Sequence, residues 1–309
     1  MKIEAKSLSI GVVVGIIGCC TILYLLGNIE TEFSFIMGKG NDTISSNRHV
    51  NTKHTIISYN IRYDNTWDKE NLWTLRKHRL SKLLMDYDPS ILGIQEGLLN
   101  QVRWIDSTLE KHNYIGVGRD DGMVRGEFCA IYFDTTQHEV LESSTFWLSD
   151  TPDQVSVGWD AALERICTYG LFKNRKTNEK IWIFNAHFDH VGSKARKRSS
   201  ELILKKIEEL NNQFFPVVLM GDFNSNPDSD PIKIFKNSLQ DALEISSTEL
   251  RGPMGTFNGF DNSHPLDNRI DYIFVKNMKI FSYRHIDDRL KNNRHISDHF
   301  PVMITVQKK

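Results

Sequence analysis

Six short stretches of this chain end on residues that can bind a metal or move a proton. Ile56-Ile57-Ser58-Tyr59 runs into Asn60, and Ile91-Leu92-Gly93-Ile94-Gln95 runs into Glu96. The apolar stretch 181–186 delivers His187, and Val217-Val218-Leu219-Met220-Gly221 delivers Asp222-Phe223-Asn224. Asp271 lies in a further apolar run, and Ser297-Asp298-His299 precedes the last. Carboxylate and amide oxygens are hard ligands, better suited to Mg2+ or Mn2+ than to zinc. Such an ion polarises a phosphoryl oxygen and steadies a departing oxyanion. Two histidines can hold phosphate oxygens or transfer protons near neutral pH. No serine, cysteine or lysine in these stretches stands out as a nucleophile, so direct attack by water on a phosphate ester is the chemistry expected.

Plainer readings compete at several of these positions. Asp222-Phe223-Asn224-Ser225-Asn226-Pro227 begins like a calcium loop, but Pro227 replaces the required Gly and Lys233 the closing Glu. In His187-Phe188-Asp189-His190, Asp189 and His190 are either supports for His187 or ordinary loop residues. Arg165 opens a strand-like run and is either a phosphate contact or half of a structural ion pair. Trp67, Trp73, Trp147 and Trp159 read mostly as core, although the Trp147 segment TFWLSDTP looks built for a surface. The basic run Lys194-Ala195-Arg196-Lys197-Arg198 reads as the solvated opening of a helix.

These residues need a rigid frame to converge. Runs rich in Val, Ile, Phe and Tyr at 55–59, 91–94, 128–133, 166–172, 181–186, 217–220, 270–275 and 301–306 predict strands. Apolar spacing predicts helices over 73–87, with Leu75, Leu80, Leu83 and Leu84 inward, and over 199–210, with Leu202, Ile203, Ile207 and Leu210 inward. No repeat or linker divides this part, so a single α+β domain over 54–309 is expected, its sheets packed on each other and its helices outside.

The ordered set Asn60, Gln95-Glu96, His187, Gly221-Asp222-Phe223-Asn224, Arg269-Ile270-Asp271-Tyr272 and Ser297-Asp298-His299 resembles the endonuclease/exonuclease/phosphatase superfamily. The resemblance covers most of the chain. It implies an α/β four-layer sandwich, two mixed sheets face to face between helices. It also implies a Mg2+ (or Mn2+) held by Glu96 with Asn60 and Asp298. By the same resemblance Asp222 prepares the water and Asn224 supports the phosphate. His299, oriented by Asp271, grips the scissile phosphate, and His187 stabilises the transition state. Arg62 and Arg165 are the candidate substrate-binding cations. Arg62 stands where some nucleases of the family carry an acid, which argues against a second metal depending on that acid.

Composition sets the outer limits. Forty per cent hydrophobic and 25% charged residues are ordinary for a globular chain, and a net charge of -1 provides no global field toward nucleic acid. Residues 8–26 carry no charge and would cross a bilayer core of about 30 Å as a helix. Lys2 and Lys6 before them place the N-terminus in the cytoplasm and the domain outside it, joined by a polar tether over 28–53. Lipid attachment at Cys19, after Ile16-Ile17-Gly18, is the alternative anchor. Cys129 and Cys167 are read as free or as one bridge in an oxidising compartment. The expected function is a phosphoesterase, first a nuclease or nucleotide phosphodiesterase, with a phospholipid, inositol- or sugar-phosphate hydrolase as alternative. A binding protein that kept the fold and lost the chemistry is the reading from another class. No protein partner is predicted.

Overall fold

Alternating and continuous apolar runs become strands, and their ends carry the polar residues. The computed structural model describes residues 54–308 apart from 264. In chain order it has β1 (His54–Asn60), a 3-10 segment (Thr66–Asn71), α1 (Trp73–Tyr87), β2 (Ile91–Gln95), α2 (Leu99–Thr108), β3 (His112–Ile115) and β4 (Ile131–Asp134). There follow β5 (His138–Trp147), β6 (Ile166–Asn174), β7 (Lys180–His187), α3 (Ser193–Leu210), β8 (Val217–Asp222), α4 (Asp230–Lys236) and β9 (Gln240–Asp241). β10 (Asp271–Lys276), β11 (Met278–His285) and β12 (Val302–Lys308) complete it. The expected membrane span, the tether and Cys19 lie outside the described residues. No helix among the described residues is long and apolar enough to cross a membrane.

The strands form two six-stranded mixed sheets, ordered β11-β12-β1-β2-β4-β3 and β5-β6-β7-β8-β10-β9. Three apolar layers hold the sandwich. Ile56, Ile91 and Ile131 from the first sheet meet Ile183, Val218 and Ile273 from the second. Leu80, Leu83 and Ile105 of α1 and α2 cover the outer face of the first sheet at Ile57 and Leu92. Ile203, Ile207 and Phe235 of α3 and α4 cover the second at Phe184 and Leu219. The result is the four-layer α/β sandwich that the sequence suggests.

A buried amide pair locks the sheets to each other just below the functional end. Gln95 donates to Asn185 Oδ1 at 2.6 Å, and Asn185 donates across the interface to the carbonyls of Ile94 and Ala130. Both side chains are fully buried, so these bonds, which leave only Gln95 Oε1 of the pair without a partner, fix one relative position of the sheets.

Two expectations are corrected by packing. Leu75 is 57% exposed, because α1 turns Trp73, Leu80, Leu83 and Leu84 inward instead. Trp147 is buried at the end of β5, where its indole donates to the carbonyl of Arg119. Cys129 and Cys167 are both buried and free. Burial pushes the Cys129 thiol up to about 12, so it stays protonated and inert.

Candidate active site

Strand register brings the chemistry together. β7 and β8 are parallel neighbours with His187 opposite Asp222, and β10 runs antiparallel to β8 with Asp271 opposite Asp222. In the other sheet Asn60 lies opposite Gln95 at the ends of β1 and β2, one residue before Glu96. β12 runs antiparallel to β1, so the segment before it returns His299 to the same end. Gly221 makes this possible: its φ is +151°, and a Cβ there would lie 2.0 Å from the carbonyl oxygen of Ala186. Arg62, Glu96 and Asn224 all adopt positive φ, with values of 57°, 62° and 46°. Such backbone costs roughly 1–3 kcal/mol per residue and persists where the surroundings enforce it, as at functional sites.

Asp222 is the centre of the cluster. Its Oδ2 accepts the Asn60 amide at 2.9 Å and lies 3.5 Å from His187 Nε2 and 3.8 Å from His299 Nε2. Burial and then Asp271 push its carboxyl upward, against the pull of the two histidines. His299 Nδ1 lies 2.8 Å from Asp271 Oδ2, so the carboxylate fixes the ring. Burial alone would discharge His299, but Asp271, Asp222 and Asp298 outweigh it and hold the imidazolium well above the ordinary histidine range. His187 differs. Burial first, and then Arg165, push it down to about 3, so it is neutral at working pH.

Arg165 reinforces the effect of burial on His187. One of its guanidinium nitrogens lies 3.0 Å from each ring nitrogen of His187, a position reached only over the face of the ring. Its other nitrogens meet Asp189 at 3.4 Å and His190 Nδ1 at 2.9 Å. Asp189 also accepts the backbone N–H groups of Val191 and Gly192. Burial would raise its carboxyl, but those donors hold it at about 2, so it stays ionised under Arg165. Arg165 is ion-paired with Asp189 and also lines the cavity.

Asn224 donates to the carbonyl of Phe188 and lies 3.3 Å from His187 Nε2. Arg62 forms a bidentate pair with Asp68 and lies 3.8 Å from Asp298. Asn60, expected among the metal ligands, is placed as a donor: its amide nitrogen bridges Glu96 and Asp222 while its oxygen accepts the N–H of Arg62. Two participants escaped the sequence reading. Glu127 Oε2 lies 3.6 Å from His187 Nδ1, backed by Arg119 at 2.6 Å, and the ring of Phe257 stands edge-on to His299. Glu127 immediately precedes the apolar run at Phe128, so its signal was that of a polar residue at the mouth of a strand.

The donor set fits a divalent cation. Glu96, His187 and Asp222 offer atoms within 4.8 Å of one another, whereas the nearby group of Asp222, Asp271 and His299 is held by the charged imidazole. Burial and the neighbouring Glu96 push Asp298 up to about 6 against the pull of His299 and Arg62, and Asp271 Oδ1 is buried without a partner. Buried oxygens that resist carrying their charge alone are what a hard cation would relieve. Glu96, His187, Asp222, Asp298 and His299 line a cavity of about 1170 Å3, which Lys194, Arg196 and Lys197 also line.

Comparison with known proteins agrees with this geometry. Residues 57–299 match the endonuclease/exonuclease/phosphatase family model. A mannosyl-6-phosphatase from Bacteroides thetaiotaomicron is 37% identical, with a TM-score of 0.79, over 82% of this chain and 99% of that one. An endonuclease/exonuclease/phosphatase family protein from the same organism is 36% identical, with a TM-score of 0.80, over 84% of this chain and 99% of its own. The CCR4-Not complex 3'-5'-exoribonuclease subunit Ccr4 of Kluyveromyces lactis is 23% identical over 62% of this chain, and the match spans 29% of that subunit's length. With its two-sheet sandwich, its clustered acids and histidines and these matches, the chain belongs to the endonuclease/exonuclease/phosphatase family, whose members are metal-dependent phosphoric ester hydrolases.

Proposed function

We propose that the chain hydrolyses the phosphate monoester of a phosphorylated sugar. The phosphoester chemistry rests on one observation above all: Asp222 stands between a charged His299 and a neutral His187. Asp222 Oδ2 takes one proton of the attacking water as its oxygen bonds to phosphorus, the phosphorus–oxygen bond to the sugar breaks, and the departing sugar oxygen takes a proton from solvent. His299, kept protonated by Asp271, donates from Nε2 to a phosphoryl oxygen. His187 and Asn224 face the same oxygens, and Arg165 supplies fixed positive charge beside them. A Mg2+ or Mn2+ held by Glu96 and Asp298 would supply Lewis-acid charge at the phosphoryl group.

The sugar-phosphate reading draws on the mannosyl-6-phosphatase, which matches over nearly its whole length. This moves the substrate from the nucleic acid or nucleotide first expected to the alternative class. A net charge of -1 supports the change, because tight nucleic-acid binding depends on neutralising many phosphates. Residues 8–26 are proposed as the membrane anchor that holds the enzyme outside the cytoplasm, and resistance of the full chain to carbonate extraction would support it. The test of substrate is a screen of hexose 6-phosphates, inositol phosphates, sphingomyelin, RNA and DNA with Mg2+ or Mn2+. Release of phosphate from the hexose phosphates is expected, and cleavage of RNA or DNA alone would restore the nuclease reading.

A further inference from the structure

Arg76 lies in α1, and its side chain is fully buried without a carboxylate partner. Every polar contact of its guanidinium goes to backbone carbonyls. Nη1 donates to Ile61 at 2.9 Å and to Ile296 at 2.8 Å, Nη2 to Arg62 at 3.2 Å, and Nε to Asn71 at 2.6 Å. Trp73 and Phe260 flank the cation at 5.6 and 5.2 Å. Asp298 and Asp68 act on it only at longer range, and a buried arginine with no carboxylate in contact is a costly way to fill a core, so its position calls for a reason.

The reason lies in what those carbonyls belong to. Ile61 and Arg62 follow Asn60 at the end of β1, and Ile296 precedes Ser297, Asp298 and His299. The two segments come from opposite ends of the domain's sequence and meet side by side, with Ser297 Oγ donating to the carbonyl of Asn60. Arg62 is in the left-handed region, and its carbonyl also accepts the buried amide of Gln101. We propose that Arg76 is a positioning residue: its planar fork ties the β1 segment to the β12 approach and so sets the spacing of Asn60, Asp298 and His299, of which Asp298 would hold the metal with Glu96. This rests on the metal-dependent reading above and adds a residue that touches neither metal nor substrate. Lysine keeps the charge but cannot present coplanar donors to separate carbonyls.

The test compares the full chain with Arg76→Lys, measuring Mn2+ binding by calorimetry without substrate, then kcat and KM, beside thermal melts. A folded Arg76→Lys should bind Mn2+ at least about tenfold more weakly and lose kcat with little change in KM. Folded Arg76→Lys with normal Mn2+ affinity and kcat would overturn the proposal. If Arg76→Lys does not fold, Ser297→Ala, which removes the neighbouring tie between the same two segments, decides the matter. Weakened Mn2+ binding in that variant supports the clamp, and unchanged binding overturns it. Since Mn2+ binding needs no substrate, a wrong sugar assignment would leave this result intact.

Discussion

Around Asp222, one carboxylate serves two histidines held in opposite charge states by their neighbours. Asp271 at 2.8 Å keeps His299 charged, while burial and Arg165 keep His187 neutral. Removing Asp222 or His299 removes an interaction that matters most in the transition state, so kcat should fall with KM nearly unchanged. Asp222→Asn and His299→Ala are each expected to slow single-turnover hydrolysis by about 10²-fold or more, with melting temperatures close to the parent's. A folded His299→Ala with near-normal rate would remove that residue from the mechanism. Asp189 acts at one remove, by holding Arg165 and the turn at Val191 and Gly192. Asp189→Asn should therefore cost about 10-fold in rate, less than either of the others, read in the same assay.

Strand ends do the positioning, which is why so much of the site was legible in the sequence. Apolar runs ending on Asn60, Glu96, His187 and Asp222 identify both the strands and the residues they deliver, and the glycine of Gly221-Asp222-Phe223-Asn224 has a steric cause. Gly221→Ala should lower stability by at least about 2 kcal/mol in urea unfolding, through clash and a disfavoured φ. A variant as stable as the parent would show that the strand can relax there. Less legible were β5 and β11, whose polar faces break the apolar pattern, and α2, which buries only Gln101, Val102 and Ile105. Glu127, Arg119 and Arg76 were missed for a related reason. Glu127 reaches His187 and Arg76 reaches Ile296 across long stretches of sequence, and no local spacing announces a buried arginine that caps carbonyls from two loops.

At the scale of the described domain, buried histidines whose burial outweighs the pull of nearby carboxylates make stability sensitive to acid. Burial and His54 hold His138 down at about 4, and burial holds His285 at about 4, against 6.5 for the ordinary side chain. Their contribution is complete above pH 6.5 and is lost as pH falls toward 4, on the order of 3 kcal/mol for each. His138→Gln should therefore lose melting temperature less steeply than the parent between pH 7 and 5, and equal slopes would contradict this assignment. The central claim concerns the cluster of acids and histidines around Asp222, which is suited to hold a divalent cation. The most direct measurement is phosphate release from mannose 6-phosphate by the purified chain, before and after EDTA and then with Mg2+ or Mn2+ restored. The account predicts activity abolished by EDTA, recovered with either ion, and reduced at limiting metal in Glu96→Gln. Undiminished hydrolysis in EDTA would contradict it.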